Sequence, residues 1–284
     1  MKTTELFKKK TVLSYEVFPP KPTSPVNTIY KTLDALKELS PDFISVTYGA
    51  GGGKNNHESF RIASAIKNCG IQSVAHLPCI GLKKEDVAAK LAELKNIGVE
   101  NVLALRGDIP DGSYEQGDFR YASDLVSFIK GQGDFNIIAA CYPEGHIETE
   151  NKVEDIRNLK IKVDAGVDHL ITQLFFNNEY FYSFKERCQL AGINVPIEAG
   201  IMPVINKKQI ERTASLCGAT VPKKFAVMME HYENNSVAIR DAGIAYAVDQ
   251  IVDLIAQGVD GIHLYTMNNP YVAQKIYESI HTLL

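Results

Sequence analysis

The stretch LKNIGVENVLALRGD, Leu94 to Asp108, contains one full cycle of the pattern that decides the fold. Apolar residues at helical spacing end at Gly98, Val99 follows at once, and an acid stands at Glu100. An apolar strand-like run then closes on Arg106, Gly107 and Asp108. Glycine after a helix reaches the left-handed conformation without steric strain, so Gly98-Val99 reads as a helix-to-strand turn. The same signature recurs at Gly70-Ile71, Gly166-Val167, Gly192-Ile193 and Gly258-Val259, and the acid recurs at Asp168 and Asp260.

Working outward from these turns, strand candidates fall near 12–18, 43–48, 71–77, 101–106, 135–142, 168–175, 195–201 and 260–266. Helical stretches separate them. In 24–39 Ser24 can cap and Pro25 suits the first turn, while 84–97 places Val87, Leu91 and Leu94 on one face. Strand and helix alternating eight times predict an α/β architecture, a (β/α)8 TIM barrel of typically about 250 residues. The chain has 284, and the surplus at 218–257 reads as extra helices before the last strand. No low-complexity linker interrupts it, so 1–284 is expected to form a single catalytic barrel domain.

Composition narrows the function. A formal net charge of −4 and a single basic run, Lys8 to Lys10, argue against nucleic acid as a partner, because phosphate contacts need clustered Lys and Arg. The five cysteines are scattered, with no C-x-x-C and no metal-ligand spacing, and read as reduced thiols of a cytoplasmic protein without a metal. No apolar run approaches the ~20 residues of a membrane span, and acid and proline interrupt the N-terminus before a signal-peptide core forms.

In such a barrel the chemistry sits at the C-terminal ends of the strands. Strand one ends with Glu16, strand two with Thr47, strand three with His76 and strand four with Arg106-Gly107-Asp108. Strand five runs into Tyr142, Glu144 and His146, strand six ends with Gln173 and strand eight with Tyr265. Side chains alternate along a strand, so Leu13, Tyr15 and Val17 should face the helices while Ser14 and Glu16 face the interior. An unpaired carboxylate there is costly to ionise, so Glu16 is expected to have a raised pKa, which suits a general acid; the bland reading is a salt bridge, with Arg106 as the available partner. The glycines at 49–53 match no phosphate-binding fingerprint. Tyr265 and Phe175 read as packing.

Taken together, YEVFPPK, ISVTYGAGG, AHLPCIG, LALRGDIP, CYPEGH, LKIKVDAG, ITQLFFN, GIMPV and LYTMN, in order from Tyr15 to Asn268, resemble the methylenetetrahydrofolate reductase family in its short bacterial form. The resemblance implies an FAD-dependent enzyme. It passes a hydride from NAD(P)H to 5,10-methylenetetrahydrofolate by ping-pong kinetics, without nucleic-acid or membrane partners and as a homo-oligomer. It implies that Glu16 is the general acid that opens the folate's five-membered ring to an iminium, and that Asp108 stabilises that cation. Flavin contacts are implied at Thr47, Tyr48, Ala50, His76, Arg106, Gly107, Asp108, Tyr121, Ala122, Tyr142, His146, Asp155, Asn158 and Lys162. Substrate contacts are implied at Asp108, Gln173, Gln209 and Tyr265. Three positions depart from the family's pattern: Ile161 where a flavin-binding Arg is common, Thr213 for an aromatic residue, and Asn269 for an Arg that would reach folate.

Two other readings compete. Glu16, His76 and Asp108 could serve as ligands of a metal-dependent barrel aldolase or hydrolase, and the departures at Ile161 and Asn269 suit a folate- or flavin-binding subunit that needs a separate electron-transfer partner.

Overall fold

In the computed structural model, which describes residues 1–20, 25, 27–48, 56–108 and 116–284, Gly98 sits at φ +70°. Gly70, Gly166, Gly192 and Gly258 also take positive φ, between +72° and +121°. Each ends a helix and releases the chain into the next strand, as the recurring signature predicts.

Eight parallel strands close in sequence order, each beside the next and β8 beside β1. They are β1 (Val12–Val17), β2 (Phe43–Val46), β3 (Gln72–Pro78), β4 (Asn101–Leu105), β5 (Asn136–Cys141), β6 (His169–Thr172), β7 (Ile197–Ile201) and β8 (Gly261–Tyr265). The helices are α1 (Asn27–Lys37), α2 (Asn56–Asn68), α3 (Lys84–Asn96), α4 (Ala122–Lys130), α5 (Lys152–Asp164), α6 (Asn178–Leu190), α7 (Lys207–Cys217), α8 (Lys223–His231), α9 (Ser236–Ala256) and α10 (Pro270–Ile280). The expected surplus is α8 and α9. The predicted cap Ser24 lies outside the described residues. In α3, Val87, Leu91 and Leu94 are buried as their spacing requires.

Alternation sorts the strand residues into two environments. Leu13, Tyr15 and Val17 join Ile29, Leu33 and Leu36 of α1 in the layer between strands and helices. Val12, Phe43, Val74, Leu103, Ile138 and Ile171 fill the lower barrel interior. A 3-10 helix, Thr3–Lys8, packs Leu6 and Phe7 beneath them, and the Thr3 N–H donates to Asn101 at 2.9 Å. A separate cluster joins Leu174, Phe176 and Met202 to Phe225 of α8, whose ring stacks on Tyr246 of α9 at 4.2 Å. The extra helices therefore build up the wall above β6 and β7.

The acids at the strand entries have a structural task. Asp42 accepts from the Leu13 N–H at 2.9 Å, Asp168 from Ile137 at 2.7 Å and Asp260 from Ile197 at 3.0 Å. Each satisfies a donor at the start of the preceding strand, which would otherwise be left without a partner at the barrel floor. Glu100 instead pairs with the N-terminal ammonium at 3.2 Å. Replacing Asp168 by Ala is expected to lower stability by about 1–3 kcal/mol, the cost of an orphaned part-buried donor. Urea unfolding checks this, and an unchanged midpoint would show that water replaces the carboxylate. Among the described residues, no helix is long and apolar enough to cross a membrane.

Candidate active site

Strand β1 carries Glu16 to the mouth of the barrel, with its side chain 18% exposed. Its Oε2 stands 3.4 Å from Nε2 of His76 on β3 and 3.7 Å from Nε2 of His263 on β8. The backbone here is held firmly: Thr266 donates to the Glu16 carbonyl at 2.6 Å, and the Asn268 amide bonds both the N–H and the carbonyl of Phe18. Met267 and Asn268 adopt φ of 51° and 54°, a left-handed conformation uncommon for residues other than glycine. The loop after β8 thus fixes the end of β1.

Two expectations about Glu16 need correction. Burial does push its carboxyl upward, but the nearby imidazoles of His263 and His76 outweigh burial, and the net direction is downward. Burial in turn pushes His76 down to about 4 and so disfavours its charged form. Glu16 is therefore one member of a cluster of titratable groups, rather than an isolated acid. Arg106 is not its partner. The Arg106 guanidinium turns outward and grips Glu148 in a bidentate pair at 2.5 and 2.7 Å.

Arg106 leads into a cleft of about 550 Å³ on the flank of the mouth. Gly107 follows at φ +87°, and a Cβ there would meet Ile80 and Pro78 at 3.0 Å, so only glycine turns the chain at this point without displacing neighbours. The cleft is lined by Arg106, Tyr121, Ala122, Tyr142, His146, Asp155, Asn158 and Lys162, eight of the implied flavin residues, together with Glu148 and Ile161. Lys162 on α5 donates to the Ala140 carbonyl at 2.5 Å and forms no salt bridge among the described residues, and burial lowers its pKa. His146 accepts the Glu148 N–H at Nδ1, so in its neutral form the ring proton is on Nε2. Its ring stands edge-on to Tyr142 at 4.6 Å.

The other predicted residues are placed as follows. Asp108 is exposed just beyond β4. Gln173 follows β6, and its side-chain oxygen accepts the Leu174 N–H at 2.9 Å. Gln209 lies in the first turn of α7 beside Asn206. Tyr265 donates to the Thr172 carbonyl at 2.7 Å, and its ring is edge-on to His263 at 5.2 Å. Thr47 lies just past β2, where its carbonyl accepts from Ser59 at 2.9 Å. Tyr48 packs on Phe60, with the Lys90 ammonium 5.5 Å from its ring, and does not line the cleft. Ala50 and the other glycine-loop residues lie outside the described residues. Of the departures, Ile161 is 60% exposed in the cleft, Thr213 sits on α7, and Asn269 caps α10 by accepting the Val272 N–H. The metal reading finds no support, because no three His, Cys, Asp or Glu among the described residues are grouped to hold an ion.

Sequence reasoning missed Glu148, His263, His169 and Glu198. His263 has the same inward parity as Tyr265 on β8, a signal that was available. Nothing local marks Glu148 as the partner of Arg106.

A barrel whose mouth sets a part-buried acid beside two imidazoles, and whose flank opens a cleft presenting Arg106, His146 and Lys162 alongside Glu148, Glu150, Glu154 and Asp155, gathers titratable side chains at the strand ends as enzymes of this fold do. The chain belongs to the methylenetetrahydrofolate reductase family, whose profile matches residues 2–281. It is 36% identical over 271 residues to 5,10-methylenetetrahydrofolate reductase of Salmonella typhimurium, covering 95% of this chain and 90% of that one, with the same figures for the Escherichia coli protein. Methylenetetrahydrofolate reductase (NADH) 1 of Arabidopsis thaliana is 36% identical over 276 residues, 91% of this chain and 46% of that one. Among solved structures, an uncharacterized Clostridium thermocellum protein that binds two copies of 5-methyl-5,6,7,8-tetrahydrofolic acid superposes with a TM-score of 0.64. It is 13% identical and covers 98% of this chain and 97% of that one, a likeness of fold. The family makes the protein an oxidoreductase of one-carbon folate metabolism.

Proposed function

We propose that the protein reduces 5,10-methylenetetrahydrofolate to 5-methyltetrahydrofolate, with FAD as cofactor and NAD(P)H as hydride donor in a ping-pong cycle. The observation that carries this reading is that the C-terminal ends of the strands bring the part-buried Glu16 carboxyl and a cleft presenting Arg106, His146 and Lys162 to the same end of the barrel. The donor set fits a dinucleotide. Arg106 and Lys162 match pyrophosphate charge, His146 offers a ring N–H, and Asp155 and Asn158 offer acceptors for ribose hydroxyls. Bound FAD supplies the hydride chemistry that side chains lack.

The chain's own residues do the rest. Glu16 delivers a proton to the folate nitrogen as the five-membered ring opens, and Asp108 places negative charge near the resulting iminium. Cover over the mouth by the flat ring systems of cofactor and substrate removes the remaining water from Glu16, which strengthens the upward push of burial and moves its pKa toward that of a working acid. Gln173, Gln209 and Tyr265 bind and orient the substrates. The protein acts as a cytoplasmic homo-oligomer in which residues 1–284 form one catalytic domain.

Asp108→Asn tests the electrostatic part. The folate half-reaction should slow on the order of tenfold, equivalent to about 1.4 kcal/mol of the barrel's barrier-lowering effect. The midpoint potential of bound flavin should rise, because a negative charge that disfavours added electrons is removed. Stopped-flow and a redox titration read the two effects, and an unchanged potential would place this carboxylate away from the flavin ring.

A further inference from the structure

Below Glu16 the barrel holds a second carboxyl that the proposed reaction does not use. Glu198 on β7 is fully buried, as are Ser14, His169 and His263. Ser14 Oγ lies 2.8 Å from Glu198 Oε1 and 2.6 Å from His263 Nδ1, and His263 Nε2 faces Glu16 Oε2 at 3.7 Å. The polar groups therefore form a file through the core: Glu198, Ser14, His263, Glu16. The last gap is just beyond hydrogen-bond length, a separation of the kind that tightens when a site is filled. Glu198 Oε2 and His263 Nε2 have no hydrogen-bond partner among the described residues, so each can take one more bond.

We propose that Glu198 is a positioning residue that holds a proton in the barrel core and passes it through Ser14 and His263 to Glu16, so that the general acid is loaded from beneath rather than from solvent. The inference rests on the reading of Glu16 as general acid. A serine hydroxyl has one proton, so the file has two self-consistent arrangements. With Glu198 protonated, its O–H donates to Ser14, Ser14 donates to His263 Nδ1, and the His263 Nε2–H points at ionised Glu16. With Glu198 ionised, His263 Nδ1–H donates to Ser14, Ser14 donates to Glu198, and protonated Glu16 donates to His263 Nε2. One proton has moved from carboxyl to carboxyl, each atom keeps its valence, and one negative charge is present throughout.

The surroundings favour the first arrangement at rest. Burial pushes Glu198 up to about 7, opposed by His263 and the Ser14 hydrogen bond and reinforced by Asp42 and Asp260 beneath. His169 of β6 faces the same carboxyl at 3.5 Å, and burial drives it down to about 3, so it offers Glu198 no fixed charge near neutrality. Around Glu16 stand His76 of β3 and His263 of β8, which outweigh burial and hold its carboxyl downward, and Tyr265 of β8, whose own hydroxyl is pushed up by burial and by Glu16. Covering the mouth removes water from Glu16 and leaves Glu198 unchanged, which tips the proton toward the acid that needs it.

Infrared difference spectroscopy on the full-length protein, without substrates, should show a protonated carboxyl near neutral pH that Glu198→Gln removes. In the FAD-loaded protein the same variant should slow reoxidation by methylenetetrahydrofolate on the order of tenfold. It should also shift the pH profile of that step, with flavin reduction by NADH proceeding as before. Ser14→Ala keeps both carboxyls and cuts the file, so the infrared band should remain while the folate step slows, which covers the case of an unstable Glu198 variant. A band that survives Glu198→Gln, or a folate step and pH profile that match wild type in either variant, would overturn the proposal. If Glu16→Gln itself left the folate step intact, the general-acid reading would fail instead, and the infrared result would still report where the core proton resides.

Discussion

Glu16→Gln is expected to slow the reaction with methylenetetrahydrofolate by about 10²–10⁴, the usual contribution of a positioned general acid. Flavin reduction by NADH should stay close to the wild-type rate. The two half-reactions separate because only ring opening of the folate needs a proton at that position. Gln preserves volume and can still face His76 and His263, so a general loss of folding is not the expected cause. Anaerobic stopped-flow resolves both steps in one preparation. An equal fall in both would mean that Glu16 supports the cofactor site as a structural member and is not the acid.

Arg106→Ala should weaken FAD binding by about 10- to 100-fold, which corresponds to 1.5–3 kcal/mol for hydrogen bonds to a charged group. The guanidinium stands at the end of a rigid strand, and Glu148 already orients its fork for a bidentate partner. Phosphate oxygens can take the place of that carboxylate. Wild-type affinity should also fall with added salt, and the variant's less so, since an exposed charge contact has been removed. Fluorescence titration of FAD with apoprotein measures both. Equal affinity and equal salt dependence in the two proteins would remove Arg106 from the flavin site.

The barrel was legible because its signals are local and repeated. A glycine at positive φ follows α2, α3, α5, α6 and α9, and the run 101–106 became β4 at Asn101–Leu105. The predicted strand at 168–175 ends early, at Thr172, because the apolar character of Leu174, Phe175 and Phe176 serves the helices. Phe175 stacks on Phe181 of α6, and Phe176 stacks on Phe225 of α8. Periodicity cannot separate these uses of the same residue types.

The site was legible as positions but not as pairings. Inward parity placed Glu16 at the mouth, while its direction of titration depends on His263, which arrives from the far end of the chain when β8 closes on β1. Arg106 and Glu148 meet only because the segment after β5 folds back beside the end of β4. Glu198 reads in sequence as one acid in an apolar strand, PIEAGI, and its meaning appears when Ser14 and His263 are brought to it.

The central claim is that this chain uses flavin to carry reducing equivalents to methylenetetrahydrofolate. An anaerobic absorbance titration of the FAD-loaded protein, with NADH first and methylenetetrahydrofolate second, tests it most directly. The account predicts that the visible flavin band bleaches with NADH and returns on addition of the folate. A band bleached by NADH that the folate fails to restore would contradict the reductase reading. A protein that binds no flavin, or whose flavin stays oxidised with NADH, would contradict it in favour of a binding subunit served by a separate electron donor.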